Sequence, residues 1–179
     1  MEFGETTLNS YKVFDGRVLK VYKDDIETVE GHKSFREVVK HPGGVVILAK
    51  KDNKILFVKQ FRYPMKEVLL ELPAGKLEYG EEPLKAAKRE LEEETGYCAK
   101  RWTDLGFVYT SPGYSDEKLY LYEADDLEYT HCHPDDGEIL EPLEIEYDDV
   151  LKKVYNGEIN DAKTLCVLLR KSIKDNNDD

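Results

Sequence analysis

The chain has 179 residues and a formal net charge of −12, with 40% hydrophobic and 36% charged residues. That length supports one sizeable core with room for a small accessory lobe. The acidic balance argues against nucleic acid as a partner, which needs a basic face, and no apolar run approaches the roughly 20 residues that span a bilayer, so no membrane is expected either. Cys98, Cys132 and Cys166 are isolated, which implies no disulfide framework, and the polar start MEFGETTLNS is unlike a signal peptide. The expected location is therefore cytoplasmic. A polyanionic ligand would have to be received by a local basic patch or by metal.

In chain order, SYKVF, RVLKVYKDDIETV and HKSFREVVKH read as three strands, with turns at Asp15-Gly16 and Glu30-Gly31. A meander this small buries little by itself and needs a partner surface. His41-Pro42-Gly43-Gly44 breaks the pattern, which divides the chain into an N-terminal β lobe over 1–41, a main domain over 42–174 and a disordered tail over 175–179. GVVILAK and KILFVKQFRY form a hairpin around Lys51-Asp52-Asn53. VLLELPAG reads as one further strand. Two strands flank Ser111-Pro112-Gly113, and HCHPDDGEILE is an acidic loop. PLEIEY is the last strand, followed by helices over Asp148–Asn156 and Asp161–Ile173. His131-Cys132-His133 lacks the spacing and the second ligand pair of a zinc site, so it reads as loop. Mixed strands with helices after the centre and at the end predict an α/β/α sandwich with a mixed sheet.

The stretch Gly75 to Tyr97, GKLEYGEEPLKAAKRELEEETGY, carries the chemistry. Pro83 suits the first turn of a helix and Gly96 its left-handed stop. At about 100° per residue, Glu90, Glu93 and Glu94 share one arc. Leu84 and Leu91 share the arc beside it, and Lys85, Lys88 and Glu92 point to water. Arg89 lies one turn before Glu93 and can fix its rotamer. Three carboxylates on one arc repel one another, and an oxygen-liganded cation removes the conflict. A solvated acidic helix is the plain alternative.

The full spacing is Gly75, five residues, Glu81, seven residues, Arg89-Glu90-Leu91, one residue, Glu93-Glu94, one residue, Gly96-Tyr97. It resembles the Nudix box, GX5EX7REUXEEXGU with U apolar, at every fixed position. Tyr97 is a mild departure, being a large aromatic where an aliphatic residue is usual. Beyond the box, REVVKHPGGV, KQFRYP, ELPAGK, YTSPGYSDE and INDAKT are similar to the bacterial ADP-ribose pyrophosphatase subfamily of Nudix hydrolases. The resemblance implies a Nudix α/β/α sandwich with a small N-terminal antiparallel β lobe. It also implies a domain-swapped homodimer and metal-dependent hydrolysis of the diphosphate bond of ADP-ribose to AMP and ribose 5-phosphate.

The resemblance also implies roles for particular residues. The Ala74 carbonyl, Glu90 and Glu94 correspond to ligands of Mg²⁺, with Mn²⁺ as its expected substitute, Glu93 auxiliary and Arg89 beside it in the catalytic box. Arg62 corresponds to a residue that meets the diphosphate, and Arg36 and Glu37 to residues near the adenine. Tyr114, Ser115, Asp116 and Glu117 lie on a loop that would contact substrate. The general base corresponds to an acid on the loop PDDGEILE. Glu138 and Asp136 are both candidates, Glu138 also as a metal ligand, and Glu141 is a weaker one. A GDP-mannose-type pyrophosphatase keeps the chemistry and changes the substrate. A non-catalytic nucleotide sensor typically lacks box glutamates, and here all are present.

Overall fold

The computed structural model describes residues 3–131 and 139–178. The chain divides into two compact units, one formed by Met1–Gly43 with Tyr109–Lys118, the other by Gly44–Val108 with Leu119–Asp179.

In the first unit, β1 (Glu5–Asp15), β2 (Lys20–Thr28) and β3 (Lys33–Lys40) make an antiparallel sheet in the order β1-β2-β3. The Gly16 amide donates to the Leu19 carbonyl to close the first turn, and Gly31, at φ 82°, closes the second. Every residue of β1 is exposed, including Leu8, Tyr11, Val13 and Phe14. The segment Tyr109–Lys118, which the sequence places in the main domain, is stitched to the end of β3. The Val39 amide donates to the Tyr114 carbonyl at 2.7 Å and the Asp116 amide to the Val39 carbonyl at 3.2 Å, forming a parallel bridge between Val39 and Ser115.

The second unit is a mixed sheet between helical layers. Its strands are β4 (Gly44–Lys51), β5 (Lys54–Arg62), β6 (Glu67–Glu71), β7 (Ala74–Lys76), β8 (Tyr97–Tyr109), β9 (Lys118–Tyr129) and β10 (Leu140–Glu146). The path runs β10-β5-β4-β9-β8, with β6 on β5 and β7 on β4. β4 runs parallel to β9 and antiparallel to β5. As the central strand it is apolar on both faces. Val46 and Leu48 face one core with Phe57, Leu72 and Leu121, covered by α2 (Tyr147–Tyr155) and α3 (Ala162–Asp178). Val45, Ile47 and Ala49 face the other core, with Ala86, Ala87 and Leu91 of α1 (Pro83–Thr95). Period-two alternation along one strand thus feeds two cores. Among the described residues no helix is long and apolar enough to cross a membrane.

Two elements differ from the sequence reading. VLLELPAG is two strands, because Pro73 has no N–H to donate and the chain changes partner there: β6 pairs with β5, and β7 pairs with β4. The closing helix continues to Asp178, past the boundary at 175 where a tail was expected. Asp161, immediately before it, accepts the Thr164 amide at 3.0 Å and caps its first turn.

Candidate active site

The site is built where α1 meets the backbone between β6 and β7. Pro83 begins α1 and Gly96, at φ 75°, ends it, with the Gly96 amide donating to the Glu92 carbonyl at 2.8 Å. Ala86, Ala87 and Leu91 seal one face against the sheet, which turns the glutamate arc toward residues 74–76.

Three contacts define the geometry. Glu94, only 4% exposed, accepts the Ala74 amide at 3.0 Å through Oε2. The Glu90 carboxylate lies against Gly75 so closely that a Cβ there would sit 1.8 Å from Glu90 Cδ. Glycine at 75 is therefore a demand for space rather than for an unusual φ. Arg89 supplies the third contact. Its Nε and Nη2 donate to the two oxygens of Glu81 at 3.1 and 3.0 Å, and its Nη1 donates to Glu90 at 2.8 Å and Glu93 at 2.9 Å. Nη2 also reaches the Lys76 carbonyl at 3.2 Å. The Glu81 carboxylate pulls the guanidinium pKa upward, and Arg89 in turn holds Glu81 below the usual carboxylate range. A single planar cation thus arrays three carboxylates, which lysine could not do with the same fork geometry.

Glu92 does not simply face water as the helical wheel implies. Its carboxylate accepts the Thr130 hydroxyl at 3.0 Å, which ties the back of α1 to the end of β9. Tyr97, the departure from the box pattern, accepts from Lys51 Nζ at 2.8 Å and donates to Glu144 at 3.2 Å, with its ring edge-on to Tyr129 at 5.3 Å. Lys51 also donates directly to Glu144 at 2.5 Å, so the hydroxyl closes a three-membered polar cluster that an aliphatic residue would fill in space but leave without its third member.

Beside this centre lies a charge network that the sequence reading missed. Glu71, 1% exposed at the end of β6, accepts both Nε and Nη2 of Arg62 at 2.7 and 2.6 Å and also pairs with Lys163. Burial works to raise the Glu71 carboxyl, but Arg62 and Lys163 outweigh it and hold the group below the usual range. Lys163 also meets Asp161 at 3.0 Å. The available signal was Glu71 itself, a lone acid inside the apolar run VLLELP, which must find cations if buried. Arg62, expected to meet diphosphate, thus has two of its nitrogens oriented by Glu71.

The remaining candidates lie on other elements. Arg36 and Glu37 lie on β3, where Arg36 pairs with Glu5 and Glu37 stands opposite Lys23. Asp116 accepts the His41 amide at 3.0 Å and meets Lys40 at 2.9 Å. Burial acts to raise the Asp116 carboxyl, but these partners keep it below the usual range. Glu117 accepts the Thr110 hydroxyl at 2.6 Å and faces His41 Nδ1 at 3.3 Å. The Ser115 hydroxyl accepts the Glu117 amide at 3.2 Å, and the Tyr114 side chain is exposed. These four residues are the stitched loop of the first unit. Glu141, on β10, pairs with Lys59 at 3.5 Å. Asp136 and Glu138 lie outside the described residues.

A model of the NUDIX domain matches residues 39–167. The ADP-ribose pyrophosphatase of Bacillus subtilis (strain 168) is 44% identical over 174 residues, 96% of this chain and 94% of that protein. The methanol dehydrogenase activator of Bacillus methanolicus is 41% identical, over 93% of this chain and 91% of its own length. A crystal structure of an ADP compounds hydrolase superposes with a TM-score of 0.84 over 94% of this chain and 92% of that one; at 23% identity this bears on the fold alone. The chain belongs to the Nudix family, whose hydrolases use a divalent metal ion.

The residues present suit such an ion. Their donors are all oxygen: carboxylates at 90 and 94 facing the backbone at 74 and 75, with the Glu93 carboxylate held beside Glu90 by Arg89. Among the described residues no group of three or more His, Cys, Asp or Glu side chains is placed to hold a metal ion by itself. A hard cation such as Mg²⁺ takes one or two carboxylates and completes its shell with water and substrate phosphate.

Proposed function

We propose that this Nudix hydrolase cleaves the diphosphate bond of ADP-ribose to give AMP and ribose 5-phosphate, with Mg²⁺ held by Glu90, Glu94, the Ala74 carbonyl and, as an auxiliary, Glu93. The observation that carries the reading is the seating of the Glu90 carboxylate on Gly75, with Glu94 locked to the adjacent amide. This places acidic oxygens and main chain together, where a diphosphate could share a cation with them. Bound there, the cation would neutralise the diphosphate and lower the pKa of the attacking water. Arg89 holds the carboxylate arc in register, and Arg62, oriented by Glu71, is the candidate cation for the phosphates. The ADP-ribose pyrophosphatase from Bacillus subtilis, similar along nearly the whole chain, supports the choice of substrate. Arg36, Glu37 and Tyr114 to Glu117 are proposed to contact substrate. An acid at 136 or 138 is proposed as the base, with Glu138 also approaching metal.

A homodimer with swapped N-terminal lobes, working in the cytoplasm, completes the reading. It is supported by the apolar residues that β1 leaves exposed. The test is product analysis with ADP-ribose and Mg²⁺ beside GDP-mannose, NADH and dGTP. AMP and ribose 5-phosphate should form fastest from ADP-ribose and vanish with EDTA. Faster turnover of GDP-mannose would move the substrate assignment, and tight binding without turnover would make the chain a sensor.

A further inference from the structure

The motif INDAKT has entered so far only through Lys163 and Asp161 in the Glu71 network, and its last residue reaches further. Thr164, in the first turn of α3, is 0% exposed, and its hydroxyl accepts the Leu72 amide at 3.0 Å. The hydroxyl proton is directed elsewhere, to Asp161 Oδ2 at 2.6 Å, and the same oxygen accepts the Thr164 amide at 3.0 Å. Asp161 therefore fixes the rotor so that an oxygen lone pair faces Leu72.

Leu72 stands where the chain leaves β5 for β4, so its buried N–H lies outside both ladders and needs a side-chain acceptor. Pro73 follows and has no N–H. The Pro73 carbonyl accepts the Ile47 amide at 2.9 Å, and the Ala74 amide donates to Glu94. Three consecutive residues are thus pinned by three elements: Leu72 by α3, Pro73 by β4 and Ala74 by α1. The next residue, Gly75, carries the Glu90 carboxylate.

We propose that Thr164 is a positioning residue for the metal centre, holding the Leu72–Gly75 backbone at the height at which the Ala74 carbonyl and the Glu90 and Glu94 carboxylates face a common ion. The inference rests on the proposed metal site. It gives a role to the far end of the chain, which supplies no ligand and acts through a single hydroxyl. Lys163, on the same turn, pairs with Glu71, the residue before Leu72, so α3 holds two consecutive residues at this point.

The test is Mn²⁺ binding, followed by loss of the free ion's EPR signal, for wild type, Thr164→Val, Thr164→Ser and Arg170→Met. Valine keeps the shape and removes the acceptor, so Mn²⁺ affinity should fall by about tenfold, as for other groups that orient metal ligands. Serine keeps the hydroxyl and should restore affinity. Arg170 donates to the Leu105 and Phe107 carbonyls at 2.7 and 2.9 Å, so Arg170→Met loosens α3 without touching residue 72 and should leave affinity unchanged. Thr164→Val matching wild type within about twofold would overturn the proposal; so would Arg170→Met weakening the ion equally. If Thr164→Val does not fold, Asp161→Ala replaces it, since freeing the rotor should weaken Mn²⁺ by a smaller factor and an unchanged affinity would overturn the inference. Wild type that takes up no Mn²⁺ would sink the metal site and this inference together. Wild type that binds and hydrolyses while Thr164→Val equals it would sink only this one.

Discussion

Alanine at position 75 isolates the contact on which the active-site reading rests. A Cβ there would lie 1.8 Å from Glu90 Cδ and 1.9 and 2.2 Å from its two oxygens. Comfortable heavy-atom separations begin at about 3.5 Å, so the carboxylate must retreat by roughly 1.5 Å. The atoms that yield are the end of a flexible side chain, and no backbone need move. The cost to folding is a changed rotamer and a weakened Arg89 contact, about 1 kcal/mol together, or a Tm lower by about 2–4 °C. The functional cost is larger, because misplacing a group by about 1 Å can cost on the order of 100-fold. Expressed as a barrier, that loss is about 3 kcal/mol. Steady-state hydrolysis of ADP-ribose with a parallel thermal melt would measure both. In a Glu90→Ala background the three atoms nearest the new methyl group are gone, so Gly75→Ala should add little there. A Gly75→Ala enzyme within about threefold of wild-type kcat, or strict additivity with Glu90→Ala, would refute the reasoning.

Three further outcomes are expected. Glu94→Gln should lower kcat by about 100-fold or more while Glu92→Gln stays within about threefold, and equal activities would reject the ligand assignment. Tyr97→Phe should cost roughly 0.5–1.5 kcal/mol in urea unfolding by removing the hydroxyl that bonds both Lys51 and Glu144, with kcat unchanged; undiminished stability would mean that the direct Lys51–Glu144 pair suffices without it. Glu71 lies below its ordinary value of 4.5 in the folded protein, so its contribution is present above that pH and is lost as pH falls through the depressed value. Thermal melts of Glu71→Gln should therefore depend less on pH below about 4.5 than those of wild type, and parallel curves would contradict the assignment.

The helix from Pro83 to Thr95 was legible because its stops and faces are local properties: a fixed φ at one end, a left-handed residue at the other and a constant turn per residue between. The same logic identified Arg89 with Glu93, one turn apart. It did not identify Glu81 as the second anchor of Arg89, because Glu81 precedes the helix and only the fold of residues 76–82 brings it back. Glu92 was assigned to solvent by the same wheel, which cannot know that Thr130 arrives from a strand end. Arg62 and Glu71 sit on paired strands, yet Lys163 reaches Glu71 from a helix 92 residues further along the chain. Periodicity specifies which way a side chain points; the partner it meets there depends on elements distant in sequence. The split of VLLELPAG was half legible, since Pro73 announced an interruption but not the new neighbour.

The bridge between Val39 and Ser115 has a consequence for the order in which the protein can be made. The His41 amide and the Asp116 carboxylate that accepts it are 75 residues apart, and β4 to β8 are synthesised between them. The N-terminal unit, although translated first, cannot be completed until the ribosome has released residue 118 or thereabouts. Deleting residues 1–43 would not cleanly excise a module either, since the excursion at 109–118 would lose the strand end that receives it. A ribosome-stalling series that reports compaction should show the N-terminal sheet gaining protection in two stages, the second only when Asp116 has emerged.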